Sequence, residues 1–179
     1  MIVTGDPRSP ASLAALKAED ALIRKLNASE RIAWDAFKQV DTMRVQLRAL
    51  AAGDSTSEVA KTIRAFIAKL DSLGGRAPVP GGGGFGGGGF GGGANARPTF
   101  VQLVNGFLRQ LGTFDNGDIA PTAAHLAAYR SACDDLGKSV AAWRAVNDAD
   151  LTALNTALTA AGKTPLAKAV GAESPRCVW

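Results

Sequence analysis

Side chains able to carry chemistry are scarce in this chain. Its 179 residues include one histidine, His125, one tyrosine and two cysteines, Cys133 and Cys177. The cysteines stand 44 positions apart, neither in a CxxC pair nor near His125, which excludes the ligand spacing of a zinc centre. No serine or cysteine lies at a telling spacing from His125, so a nucleophile and base pair is not expected. Asp134 and Asp135 are adjacent on a predicted helix and point about 100° apart, too divergent to share one reacting centre. The glycines contain no GxxxxGK[ST] pattern after a strand, which excludes a phosphate loop. The expectation is a non-enzyme with no catalytic residue, no metal and no cofactor.

Other absences narrow the class further. No run reaches the roughly 18 to 20 apolar residues of a membrane span, and MIVTGDPRSP lacks the basic start and apolar stretch of a signal peptide. Charge of one sign is missing too: eleven basic residues meet nine acidic ones before Gly75, and nine meet seven after it. With acids interleaved among bases along each predicted helix, no basic face forms and no nucleic-acid partner is expected. Aromatics are only 6% of the chain, which with abundant alanine favours thin helical packing. Hydrophobic residues at 46% and charged residues at 20% nevertheless exclude disorder throughout. Two cysteines are too few for a disulfide framework. Cys133 falls on an apolar stripe as a small buried hydrophobe and Cys177 in the PRCVW tail, and the sequence leaves open whether they pair.

What the chain has in excess is glycine. Residues 74–94 read GGRAPVPGGGGFGGGGFGGGA, with thirteen glycines in twenty-one positions. Ordering glycine costs more backbone entropy than ordering any other residue, and the run buries no side chains to offset it, so it reads as a mobile tether between two helical bodies. Phe85 and Phe90, five residues apart within it, have two further readings: aromatic stickers for an apolar groove, or parts of a polyproline-II-like glycine array.

The rest is helical in pattern. Ser9 and Pro10 predict the start of a first helix that runs to about Ala52, about 60 Å at 1.5 Å per residue. Leu26, Ala33, Val40 and Leu47 recur every seven residues with Ser29, Ala36, Met43 and Leu50 three positions on, a coiled-coil type of seam. Leu13, Leu16, Leu22 and Ile23 extend the apolar face, and Trp34 and Phe37 broaden it. Ser55 and Glu58 predict a capping box for a second, antiparallel helix that Gly74 and Gly75 stop. Being shorter than half the first helix, it leaves much of the 13–37 face to helices from the other half of the chain, or from another chain, joining one bundle. Pro98 and Thr99 open a third helix with the stripe Phe100, Leu103, Val104, Phe107, Leu108 and Leu111. From Thr122 a fourth carries Leu126, Tyr129, Cys133, Leu136, Val140 and Trp143. Asn147 and Asp148 interrupt that stripe, Asp148 caps a short fifth helix, and Gly162 with Pro165 ends it. Asn27 begins an N-x-S glycosylation pattern but falls mid-helix on an expected packing face, against the surface-loop setting such sites need.

These readings give an all-α fold: a small bundle of two helical hairpins plus a short fifth helix, joined by a glycine-rich linker. Residues 1–8 read as the remnant of a preceding β-sandwich strand, 9–73 as the first hairpin, 74–97 as the linker, 98–162 as the remaining helices and 163–179 as a loosely held tail.

The GDPR segment before a long helix, the short antiparallel partner, the polyglycine tract with phenylalanine, the APTF helix and the closing DADLTALNTALTAAGKTPL resemble a bacterial family. The chain is similar to the C-terminal helical module of secreted proteins with sortilin-type (VPS10-like) or BNR/Asp-box propellers, often labelled glycosyl hydrolase or sialidase-like. The resemblance implies a non-catalytic accessory module, a fragment of a secreted or periplasmic parent, that packs on preceding domains or self-associates. It transfers no catalytic position, because the propeller repeats are not in this chain. The residues expected to make such contacts are Leu13, Leu16, Ile23, Trp34, Phe37, Phe85 and Phe90. The alternative is a glycine-rich structural protein that assembles through its GGGGF segments.

Overall fold

The computed structural model describes residues 11–52, 56–75, 97–114 and 120–178. They form an all-α bundle, with no strand among them. The first helix, α1, spans Leu13–Ala51 and starts at Ser12, whose Oγ accepts the amide of Ala15 at 3.2 Å. The expected cap at Ser9 is therefore corrected by three residues: Ser12 satisfies the free amides of the first turn, and its carbonyl accepts the first intrahelical bond from Leu16. The second helix, α2, spans Glu58–Gly74 and is capped by Ser57 rather than Ser55. Glu58, the expected box partner, occupies the first helical position instead and pairs with Lys61 at 2.6 Å. Ser9, Pro10 and Ser55 lie outside the described residues.

The buried positions of α1 are Glu19, Leu22, Leu26, Ser29, Ala33, Ala36, Phe37, Val40, Met43, Arg44 and Leu47. Apart from Phe37 and Arg44 these advance in alternating steps of three and four, so the heptad seam holds for four heptads, about eight turns. Its middle is lined by Ser29, Ala33 and Ala36, small enough for a neighbouring helix to approach closely. That neighbour is α3, Phe100–Gly112, whose contact with α1 is the most extensive in the bundle. It buries Phe100, Leu103, Val104 and Phe107 and begins with a capping box between Thr99 and Gln102. Leu108, expected on the same stripe, is instead half exposed, since the α1 seam occupies the other flank of this short helix.

The fourth helix, α4, spans Ala123–Ala145 and also opens with a capping box, in which His125 takes the place usually held by Glu or Gln. Tyr129, Cys133, Leu136, Val140 and Trp143 are buried, and Leu126 packs partly buried against the core, as the stripe predicts. Past Ala145 the chain does not break. A π turn over Val146–Asp150 leads directly into α5, Leu151–Ala160. Asp148 therefore caps nothing. The wider turn, closed by Leu151 N–H on Val146 C=O, adds a residue per turn and brings Asn147 and Leu151 into line with Trp143 on the inner face. The α3–α4 hairpin is as expected, but the fourth helix and the separate fifth helix become one rod, residues 123–160. Gly162, at φ +67°, ends it, with Lys163 N–H bonded to Leu158 C=O and Gly162 N–H to Thr159 C=O.

Both halves of the chain share one core. α2 contacts α3, α4 and α5 as well as α1, and Lys69 on α2 pairs with Asp150 at 2.9 Å. Leu22, Leu26 and Phe37, on the face that α2 is too short to cover, are buried in this shared core while Leu13 and Trp34 stay exposed, so of the two readings, tethered bodies or one bundle joined by both halves, the bundle is the one observed. Arg44 shows how the halves meet. Its nearly buried guanidinium donates from both terminal nitrogens to Gly75 C=O at 3.2 Å, while Nε lies 3.1 Å from Asp71 Oδ1 but off the hydrogen-bond direction. Gly75, at φ +75°, abuts Thr99: a Cβ there would stand 2.6 Å from Thr99 Oγ1. The backbone that leaves at Gly75 and the backbone that returns through Thr99 are neighbours, so the residues between them have no distance to bridge. The glycine-rich linker itself, with Phe85 and Phe90, lies outside the described residues, as does the 1–8 segment.

Candidate interaction cleft

The last described residues depart most from the sequence reading. Residues 163–178, expected to be loosely held, run without regular structure back along α5 and α4, antiparallel to the rod, and form a strap. Asn155 donates to Leu166 C=O at 2.9 Å and accepts Leu166 N–H at 2.8 Å. Asn147, almost wholly buried, does the same for Ala169, both bonds at 3.0 Å. Arg144 donates to Ala172 C=O from Nε and Nη2, at 3.1 and 2.7 Å, and from Nη1 to Ser174 Oγ. Tyr129 donates its hydroxyl to Arg176 C=O, and a disulfide joins Cys133 to Cys177. Side chains whose helical positions look like interruptions in the sequence thus act as anchors.

Between the strap and the outer flank of α1 lies a cleft of about 1230 Å³. Arg24, Arg31, Asp35, Lys38, Thr42 and Gln46 line one wall, Ala167, residues 169–174 and Arg176 the other, with Tyr129 and Met43 between them. Gln39 ties the walls together: Oε1 accepts Trp143 Nε1–H at 3.1 Å and Nε2 donates to Gly171 C=O at 3.3 Å. Gly171 turns the strap there at φ +90°, a conformation open to glycine. Lys25 closes one end, donating to Val178 C=O at 2.6 Å.

The cleft carries mixed charge with a basic excess. Arg24 is held by Asp20 at 2.8 Å, and that hydrogen bond, followed by the charge of the carboxylate, raises the guanidinium above its ordinary pKa. Lys38 is paired with Asp35 at 2.8 Å. The guanidiniums of Arg31 and Arg176 are in no ion pair or side-chain hydrogen bond among the described residues. The chemistry on offer is hydrogen bonding and ion pairing to carbonyls and carboxylates. Among the described residues no three His, Cys, Asp or Glu side chains converge as a metal site requires.

The contact residues expected from sequence sit elsewhere. Leu13 is exposed, while Leu16 and Ile23 are half-buried, Ile23 against the core. Trp34 is 41% exposed and stacks at 5.3 Å on Phe37, which is itself buried. None of these lines the cleft, and Phe85 and Phe90 are not described. Asn27 is exposed rather than on a packing face, with its amide spent on Ile23 C=O. The signal available for the cleft is the column Arg24, Arg31 and Lys38, seven residues apart on α1. For the strap it is the pair Asn147 and Asn155, eight apart on one face. No family model, curated protein or solved structure matches the chain.

Proposed function

We propose that this chain is a non-catalytic helical interaction module of an exported bacterial protein, as the resemblance to sortilin-like and Asp-box proteins implies, and that it meets its partner through the cleft. The observation that carries this reading is the cleft's construction. One wall is a folded-back strap that presents peptide backbone, and the other is a helix flank with uncommitted donors at Arg31 and Gln46. Arginine surrounded by hydrogen-bonding groups suits a polypeptide surface bearing carboxylates and free carbonyls. Export is supported by the Cys133–Cys177 bridge, because such a bond persists in oxidising compartments and is rare in the cytosol. The partner is a preceding domain of the same polypeptide or a second copy. No described helix is long and apolar enough to cross a membrane.

The test is a photoreactive side chain placed at Arg31 in the exported parent polypeptide, compared with one at exposed Asp134 on the far side of α4. Crosslinks at position 31 that map by mass spectrometry to a preceding domain or to a second copy are the expected result. Equal yields at the two positions, or none at either, would reject the cleft as the contact surface.

A further inference from the structure

We propose that the track formed by Asn155, Asn147 and Arg144 on the α4–α5 rod is a receptor groove that reads extended polypeptide through its main chain, and that residues 163–178 of a second copy can occupy it in exchange for the chain's own. The proposal rests on the strap contacts alone and stands whether or not the cleft binds a partner.

Three features support it. The first is the form of recognition. Both asparagines bind the N–H and C=O of a single residue, and Arg144 and Tyr129 take further carbonyls. Among the described residues, the polar or covalent contacts of strap side chains are those of Ser174 Oγ, the Lys168–Asp148 ion pair, Lys163 Nζ on Leu50 C=O at 3.2 Å and the disulfide, and none of them is made by Leu166 or Ala169. The spacing fits this use: Asn147 and Asn155 are about 12 Å apart along the rod, and the three extended residues from Leu166 to Ala169 span about 10 Å.

The second feature is how little the strap buries. Ala172 is its only buried side chain, and Val170 is fully exposed. A segment held by hydrogen bonds and a tether, with little apolar burial, opens locally far more readily than a core helix. The third is the demand the groove makes when empty. Asn147 is 2% exposed and has both its amide donor and its acceptor committed to the strap. Without an extended backbone over it, those buried groups lose their partners, so an empty groove favours refilling. The one segment shown to fit is 163–178, and a second copy supplies it with two-fold reciprocity.

The disulfide decides whether exchange can occur. A small dithiol breaks the Cys133–Cys177 bond by giving up two electrons and two protons, leaving two thiols and its own disulfide. Glutathione disulfide then re-forms the bond, within one copy or between two, releasing two glutathione thiols.

The experiment mixes full-length chain in natural and ¹⁵N-labelled forms. One sample is never reduced. The other is reduced with a dithiol, concentrated and reoxidised with glutathione disulfide. Linked peptides joining Cys133 of one isotope to Cys177 of the other are expected only in the second sample, in a dimer fraction on non-reducing gels, and to approach half of the linkages there. A synthetic 163–178 peptide should suppress them. The same peptide N-methylated at Leu166 and Ala169, which cannot donate to the asparagines, should compete at least tenfold less well. Linkages that re-form only within one isotope, dimers joined only through Cys177 to Cys177, or equal competition by the two peptides would each overturn the proposal. If reduction abolishes helicity, hydrogen exchange of the oxidised chain decides: Leu166 and Ala169 amides at least 100-fold faster than Leu136 support a reopenable groove, and equal rates overturn it.

Discussion

Two glycines in helices separate a residue required by its neighbours from one that merely fills a place. Gly74 ends α2 under Arg44, and a Cβ there would stand 2.5 Å from Arg44 Nη2 and 2.9 Å from Val40 Cγ1. The guanidinium cannot simply swing aside, because it is nearly buried and bonded to Gly75 C=O. Gly137 lies mid-way along α4, and the nearest atom to a Cβ there is Pro175 Cγ at 3.8 Å, an ordinary contact. Gly137→Ala should therefore gain about 1 kcal/mol from helix propensity. Gly74→Ala should lose about 1 to 3 kcal/mol through overpacking. Denaturant melts of the two variants check both signs, and a stabilised Gly74→Ala would mean that Arg44 does not rest on that backbone. Sequence alone reads Gly74 only as a helix stop, since the arginine that needs it is thirty residues away.

Elements whose signal is local were legible from the sequence. The seam of α1 and the stripe of α4 repeat over many turns, so a wrong cap at Ser9 or Ser55 displaces an end without rotating a face. Where a local signal conflicts with packing, packing prevails. Asn147 and Asp148 look like a break, yet the π turn keeps the rod continuous because a buried asparagine with two backbone bonds outweighs its poor helix propensity. The strap was invisible for a related reason: it is held by residues of another element, and LAKAVGAESPRCVW has no periodicity of its own. Its bridge closes a loop of 44 residues, which in the chain-entropy account is worth about 4 kcal/mol. Reduction by a dithiol should lower the unfolding free energy by about that amount while the far-UV circular dichroism of the folded baseline changes little, because only the π turn bonds to the strap through Asn147 and the helices on either side of it are held by their own backbone bonds and by the core. A loss below about 1 kcal/mol would show that the bridge does not constrain the unfolded chain.

At the scale of the whole molecule, the glycine tract changes meaning. Composition alone suggests a tether that lets two bodies move apart, but α1, α2, α3 and the α4–α5 rod share one core, and Gly75 touches Thr99. Twenty-three residues therefore join two points that a few would connect. A connection of that length costs more closure entropy than a short one, and the contact between Gly75 and Thr99 predicts that the fold survives its shortening. Deleting 81–93 leaves ten residues in the connection, and the logarithmic dependence on loop length predicts a gain of about 0.7 kcal/mol. The same deletion separates the interaction module from the glycine-rich assembly protein that composition also allows. If the contacts are made by the bundle, sedimentation velocity should give the same mass distribution for the deleted and intact chains, and the deleted chain should melt slightly later. If the GGGGF units hold copies together, the intact chain should sediment as larger species that the deletion abolishes. A deleted chain that loses helicity would contradict the contact between Gly75 and Thr99, because only a fold that depends on the tract's length could be broken by shortening it.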